Sequence, residues 1–250
     1  MDFSTTVLLF FLLAFASEVI GTISGFGSSV FFVPLAGMLF DFQTTLALTG
    51  ILHIFSTSAQ VLLFRKSINW KLTLLIGIPS VVMVMCGAYL NNKISLKYAE
   101  LAMGIFLIAF AVSFLFNKNL KLQPSAFNAV TGGAVAGFLA GLIGTGGAIR
   151  GATLAAFDLP KNAFVATSAG IDFAVDLSRT VIYLANGYLR KEYFWFIPVL
   201  MVLAYAGAWT GKKILNKMPQ EIFKKVVLSL ILSVGILMVY GFISGSNIIR

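Results

Sequence analysis

The sequence predicts an all-α membrane protein made of two inverted repeats, each a Gly-broken helical hairpin followed by three transmembrane helices. Three observations carry this reading. Of 250 residues, 59% are hydrophobic and 11% charged, and that charge is less than half the roughly 25% of a soluble domain. The apolar runs supply about eight crossings or near-crossings of about 20 residues each, joined by connectors too short for an extramembrane domain. Finally, the chain repeats: at a shift of 119 or 120, Gly21 falls on Gly141, Gly27 on Gly147, Pro79 on Pro198, and Gly87-Ala88-Tyr89 on Gly207-Ala208-Trp209. A first membrane repeat, 1–120, and a second, 121–250, follow within one integral membrane domain.

The elements follow in order. Polar and Pro-containing breaks leave apolar blocks at about 3–40, 44–64, 71–90, 97–116, 125–157, 162–184, 193–211 and 222–244. The run from Phe3 to Leu13 precedes Ala14-Phe15-Ala16, which has the small-x-small form of a cleavage site. Yet the start carries Asp2 rather than Lys or Arg, and the chain stays apolar far past Ala16, so this run is read as the first membrane segment. Blocks 3–40 and 125–157 are too long for one span and too short for two. Both are interrupted by glycine, as GTISGFGSS from Gly21 and GLIGTGGAI from Gly141, which stops a helix and frees its backbone groups. Ser28 and Ser29, and Thr145 and Ala148, mark the expected restarts. Gly133, Gly137 and Gly141, four apart, read as a close-packing stripe. Trp70, Trp195, Tyr188 and Tyr193 near block ends read as interfacial anchors, and Pro79 and Pro198 as matched kinks. Cys86 lies in an apolar run without a second thiol, so it reads as packing and excludes both a disulfide framework and a thiolate metal site.

Eighteen Lys and Arg against nine Asp and Glu give a net charge of +9. No aromatic-basic platform or DNA-binding motif accompanies it, so nucleic acid is not expected as a partner, and basic loops beside anionic lipid explain the charge. If all eight blocks cross fully, the loop cations divide evenly between the two sides. If the two Gly-broken blocks enter and return to the same side, they divide eleven to five, which satisfies the positive-inside rule. Each repeat then crosses an odd number of times. The second is inverted, both termini lie outside, and the architecture is that of a transporter in the cytoplasmic membrane.

A charge at mid-membrane costs about 2.5–3.5 kcal/mol on the mildest scale, so each one inside an apolar block needs a reason. They are Glu18, His53, Arg150, Asp172, Asp176 and Arg179. Helical spacing puts Asp172, Asp176 and Arg179 on one stripe, where they can neutralise one another or lock the helix to a neighbour. The repeat lays His53, Thr57 and Gln60 on these same three positions, so two polar stripes can face one cavity. A helix that restarts inside a membrane presents unpaired N–H groups and partial positive charge, a seat for an anion. Arg150 lies within one turn of the second restart and adds a fork suited to oxyanions. No phosphate-cradling GxxxxGK[ST] is present.

GTISGFGSSVFFVP from Gly21, GLIGTGGAIRGATL from Gly141 and LPKNAFVATSA from Leu159 together resemble the sulfite exporter TauE/SafE family of membrane permeases, over nearly the whole chain. The resemblance implies a carrier for small anions: sulfite, sulfoacetate and related sulfur-containing or organic anions. The motifs are not symmetric, since Pro34 corresponds to Leu154 and Arg150 to Val30, so one site weighted toward the second repeat is expected. The resulting reading is a secondary transporter of a small oxyanion by alternating access. Arg150, Arg179, Gly27, Ser28, Thr145, Gly146, Gly147, Thr57 and Gln60 bind substrate, and Asp172, Asp176, His53 and Glu18 couple protons. No enzyme activity, cofactor or metal is expected, the lipid bilayer is the other partner, and assembly as a homodimer is left open. A passive anion channel is the main alternative. An intramembrane hydrolase built on Ser168, His53 and Asp172 is the weaker one, because no GxSxG elbow appears.

Overall fold

A computed structural model describes residues 3–90, 97–116, 125–144, 146–155 and 157–244. Among these residues the chain forms ten α-helices and no strand: α1 Phe3–Ser24, α2 Ser29–Ala36, α3 Phe42–Phe64, α4 Trp70–Leu90, α5 Lys97–Phe116, α6 Ala126–Ile143, α7 Gly147–Ala155, α8 Lys161–Ala185, α9 Phe196–Lys217 and α10 Gln220–Ser244. Four stretches are long and apolar enough to cross a bilayer, namely Ser4–Ser24, Phe42–Ser67, Trp70–Leu90 and Gln220–Ser244. α8 is as long, but every 18-residue stretch of it carries three or more of Lys161, Asp172, Asp176 and Arg179. Large apolar side chains such as Leu12, Ile78, Val82, Val181 and Ile236 face outward, while many Thr and Ser side chains and the charged groups Glu18, His53, Arg150, Asp172, Asp176 and Arg179 are buried. That is the inverse of a water-soluble surface and suits a lipid solvent.

Both long blocks break where glycine was expected to break them. α1 ends at Ser24 and α2 restarts at Ser29, while α6 ends at Ile143 and α7 restarts at Gly147. Gly25, Gly27 and Gly144 take φ values of 74°, 92° and 77°, a left-handed backbone that side chains disfavour. Each break folds its block into a hairpin. Phe40, past α2, meets Phe10 edge-on at 5.0 Å, so the chain returns to the end from which α1 starts. A Cβ on Gly132 in α6 would collide with Thr153 in α7.

Backbones approach closely where the small residues lie. Gly133, Gly137 and Gly141 face the carbonyls of Ile76, Ser80 and Val84 in turn, so closely that a Cβ would overlap each, and α6 therefore lies parallel to α4. The Ser80 hydroxyl donates to the Gly133 carbonyl at 2.8 Å across this seam. α9 lies along α1 in the same way: Gly207 faces Glu18 and Gly211 faces Thr22. Gly87 meets Phe138 just as Gly207 meets Glu18, two contacts offset by the 120-residue shift. α3 and α8 run antiparallel, with Gly50 against Thr180 and the Asn69 N–H donating to Thr167 Oγ1 at 3.0 Å. α5 and α10 also run antiparallel, Gly104 meeting Met238 and Gly235 meeting Ile108.

Several local expectations change. Pro198 sits in the first turn of α9, where its missing N–H has no partner to lose, so it makes no mid-helix kink; Pro79 does lie inside α4. Cys86 is exposed on the outer face of α4 rather than packed. Trp70 and Trp195 are exposed at helix starts, as anchors should be, but Tyr188 and Tyr193 are buried. Tyr188 stacks on Tyr183 at 5.5 Å, and Tyr193 joins a cluster with Phe40 and Phe196. Lys161, from the LPKN stretch, is held against the end of α9: its ammonium donates to the Leu215 carbonyl at 2.8 Å and its N–H donates to Gln220 Oε1 at 2.8 Å.

Candidate functional site

The two breaks, α3 and α8 converge on one charged cluster. Glu18, His53, Arg150, Asp172, Asp176 and Arg179 are all 6% exposed or less, so their charges persist only through mutual pairing. Arg150, in the first turn of α7, engages the Asp172 carboxylate with both terminal nitrogens. Its Nε donates to Ser168 Oγ at 3.0 Å, and Nη2 also donates to the Phe26 carbonyl at 3.0 Å. Arg179 pairs one turn back along α8, its Nε donating to Asp176 Oδ1 at 2.9 Å and Nη2 lying 2.7 Å from the same oxygen. Its Nη1 donates to the Gly144 carbonyl at 2.5 Å. Each guanidinium thus grips a carbonyl of one helix break and a carboxylate of α8. The charged stripe of α8 is divided between two arginines: Asp176 pairs with Arg179 as its spacing suggests, while Asp172 pairs with Arg150 across the α7–α8 turn.

A second chain of contacts runs from α1 to α8. The Ser28 hydroxyl, at the head of α2, donates to Glu18 Oε1 at 2.5 Å and lies 2.7 Å from His53 Nε2. Ser56 donates to the other Glu18 oxygen. On its far side the His53 ring points Nδ1 at Asp176 Oδ2, 3.5 Å away, and that oxygen finds no hydrogen bond among the described residues. Ser28 has one hydroxyl hydrogen. Because it goes to Glu18, Ser28 accepts from the His53 Nε2–H, and a proton on Nδ1 would face Asp176. The order Ser28–His53–Asp176 is that of a nucleophile, base and orienting acid, but the serine proton points away from the histidine. Among the described residues the His53 ring meets Ser28, Glu18 and Asp176 rather than Ser168, whose oxygen accepts from Arg150, so the Ser168–His53–Asp172 constellation of the hydrolase alternative is not assembled.

The remaining predicted residues divide. Gly27 lies at the cluster: a Cβ there would stand 3.7 Å from Arg150 Nη2 and 3.8 Å from both Asp172 Oδ2 and the His53 ring. Gly147 backs onto the Phe26 carbonyl and Gly146 onto the Ala136 carbonyl, both too closely for a side chain. The Thr57 hydroxyl donates to the His53 carbonyl at 2.7 Å, and the Gln60 amide donates to Thr22 Oγ1 at 3.0 Å and Ser56 Oγ at 3.2 Å. Thr57 thus bonds back within α3 while Gln60 braces α3 against α1, and among the described residues neither bonds to an arginine. Thr145 lies outside the described residues. Ser56 and Thr22, one turn from His53 and Glu18 on their helices, complete the network and were missed. Hydroxyls are frequent in membrane helices, and only their i+3 and i+4 spacing from charged residues would have singled them out.

A cavity of about 410 Å³ opens between α3, α8 and the start of α9, lined by Ile51, Ile54, Phe55, Thr180, Leu184 and Phe194. Ile54 and Thr180 directly follow His53 and Arg179 in sequence, yet the lining is apolar except for Thr180. Among the described residues no group of three or more His, Cys, Asp or Glu is placed to hold a metal ion.

A family model described as Sulfite exporter TauE/SafE matches residues 9–238. The probable membrane transporter protein MJ0441 of Methanocaldococcus jannaschii is 27% identical over 233 residues, covering 84% of this chain and 86% of that protein. The probable membrane transporter protein YunE of Bacillus subtilis is 25% identical over 267 residues, covering 91% and 95%. No solved structure matches the chain.

Proposed function

The chain belongs to the sulfite exporter TauE/SafE family of membrane transporters, and on that premise we propose that it is a secondary transporter of small oxyanions, working by alternating access with proton coupling. Sulfite and sulfur-containing organic anions are the foremost substrates. The observation that carries this reading is the pair of buried guanidiniums, each bonded to the carbonyl at one helix break, Arg150 to Phe26 and Arg179 to Gly144. Two interrupted helices, α2 and α7, start beside them, and helix N-termini and arginine forks both favour oxyanions. The Glu18–Ser28–His53–Asp176 chain supplies titratable groups in contact with that site, which proton coupling requires.

Alternating access needs two bodies that move about a shared site. The antiparallel course of α3 against α8 and of α5 against α10 supports an inverted second unit, with repeats at 1–120 and 121–250. Placement in the cytoplasmic membrane with both termini outside rests on the distribution of loop cations.

The test is reconstituted uptake of sulfite, sulfate, sulfoacetate and short carboxylates at several pH values, with Arg150→Ala and Arg179→Ala beside the parent. Saturable uptake by the parent and its loss in both variants is the expected result. Parental rates from both variants would defeat the site assignment, and equal uptake with and without a pH gradient would remove the proton role. Saturable counterflow separates a carrier from a passive anion channel.

A further inference from the structure

We propose that the Asp172 carboxylate is a built-in competitor of the transported anion for the Arg150 guanidinium, so that the anion replaces Asp172 on the fork as Asp172 takes up a proton. This rests on the transport reading above and specifies where the anion and the proton go.

Three observations converge on Asp172. First, both terminal nitrogens of Arg150 are engaged by its carboxylate, the same two-oxygen grip that a sulfonate or sulfite would present. An anion reaches the fork only if Asp172 gives way. Second, space exists beside this pair and is scarce elsewhere at the breaks. A Cβ on Gly21, Gly25, Gly144, Gly146 or Gly147 would come within 3.0 Å of a neighbouring atom, whereas one on Gly27 meets nothing closer than Arg150 Nη2 at 3.7 Å. Gly27 is also partly exposed, and Asp172, at 6%, is the most exposed of the six charged groups. The way to the fork therefore passes Gly27 and Asp172.

Third, the charges balance before the anion arrives. Facing Asp172 are Arg150 from α7, His53 from α3, and Asp176 and Arg179 from α8 itself, with Glu18 from α1 joined to them through His53. α6 contributes no titratable side chain, and Lys71, Cys86 and Tyr89 of α4, like Arg65 and Lys66 of the turn after α3, are exposed. Three carboxylates stand against two guanidiniums and one imidazole. With His53 protonated on both nitrogens, toward Ser28 and toward Asp176, the cluster is neutral. A single added negative charge in this buried place would be unbalanced, and protonation of Asp172 restores neutrality. The proton enters with the anion from the same aqueous side. It leaves on the other side when the carboxylate re-forms its pair with Arg150, so one proton accompanies each monovalent anion and the carrier returns unchanged.

The experiment uses the full chain in proteoliposomes, with methanesulfonate, whose single charge does not titrate, and sulfite as probes between about pH 5.5 and pH 7.5. For the parent, the methanesulfonate KM should rise up to about tenfold per pH unit, with the vesicle lumen acidified in step with uptake. Asp172→Asn, isosteric with the protonated acid, should bind more tightly at the higher pH, lose the pH dependence of KM and stop carrying protons, while Asp172→Glu retains both. If neither probe moves saturably, the transport reading falls. Saturable uptake with a pH-independent parental KM, or an Asp172→Asn variant that still acidifies the lumen, overturns this inference and leaves transport standing. Should Asp172→Asn yield no folded protein, the parent decides alone, because methanesulfonate uptake without lumen acidification is sufficient to refute it.

Discussion

Removing Arg150 should destabilise the protein chiefly through the partner it abandons. The guanidinium holds Asp172 with two nitrogens, and also Ser168 and the Phe26 carbonyl, and both side chains of the pair are buried. Breaking one side of a buried ion pair costs about 3–5 kcal/mol, whereas replacing both partners by apolar side chains of similar volume is often close to neutral. Arg150→Met and Asp172→Leu should therefore each cost about 3–5 kcal/mol, which for a chain of this length lowers Tm by roughly 6–20 °C. The double variant should recover most of that loss, returning to within about 1–2 kcal/mol of the parent, the remainder being the orphaned Phe26 carbonyl. Thermal unfolding of the purified protein in detergent, read as a double-mutant cycle, measures the coupling. The refolded pair should not transport, since its fork is gone. If the double variant loses the sum of the two single losses, Arg150 and Asp172 do not act as a unit and the geometry of the cluster is wrong.

Ser28→Ala removes the hydroxyl that links Glu18 to His53; it should cost about 1–3 kcal/mol in thermal unfolding by leaving a buried acceptor unpaired, and an unchanged Tm would argue against the link. Gly137→Val forces a side chain onto the Ser80 carbonyl, so α4 and α6 must separate and stability should fall by about 3 kcal/mol; a stable variant would refute the close seam. At Asp41, burial opposes the charge, but the Thr44 N–H and hydroxyl and the nearby Arg190 outweigh it and hold the carboxyl below its ordinary value of 3.8. Its contribution is therefore present above that value and lost as pH falls through the lowered one. Asp41→Asn should unfold at a lower temperature than the parent at neutral pH and at the same temperature in strong acid; a gap that persists in acid would count against the charge. With Cys86→Ser as background, a Cys pair at Gly50 and Thr180, where a Cβ added to Gly50 would stand 3.3 Å from that of Thr180, should join α3 to α8 and cut uptake by about tenfold or more until reduced. Full uptake from the crosslinked protein would mean that these helices do not move apart.

Glycine made the breaks legible before any coordinates. GTISGFGSS and GLIGTGGAI interrupt blocks too long for one span, and the helices stop at Ser24 and Ile143 as that reading requires. The spacing of Gly133, Gly137 and Gly141 was equally readable, because a four-residue stripe of missing side chains has one use on a helix face. The pairing of the charges was only half readable. Asp176 and Arg179 are three apart on one helix, and local geometry joins them. Asp172 and Arg150 lie on different helices, α8 and α7, with the α7–α8 turn between them, so their contact depends on how α7 folds back, which spacing does not encode. Tyr188 and Tyr193 show the same limit: they sit near helix ends in sequence, but the path of the chain between α8 and α9 turns them inward.

The two halves contribute unlike groups to the cluster. Glu18, Ser28 and His53 come from the first half, while both arginines and both aspartates come from the second. The counterpart of Arg150 is Val30, buried among apolar neighbours, so the first break has no cation of its own. It receives one through the Arg150 bond to the Phe26 carbonyl, and the second half in turn receives the His53 ring against Asp176. These contacts cross between the halves, whereas the Arg150–Asp172 and Arg179–Asp176 pairs lie within the second. A rocking motion of one half against the other would therefore part His53 from Asp176 and Arg150 from Phe26 while leaving each arginine beside its own aspartate. The motion would then open the contact between halves beside the Arg150 fork, where the anion and the proton taken up by Asp172 exchange. An asymmetric cluster on a repeated scaffold would hold one site between two moving bodies, because two equivalent sites would each need an arginine that the first half does not have.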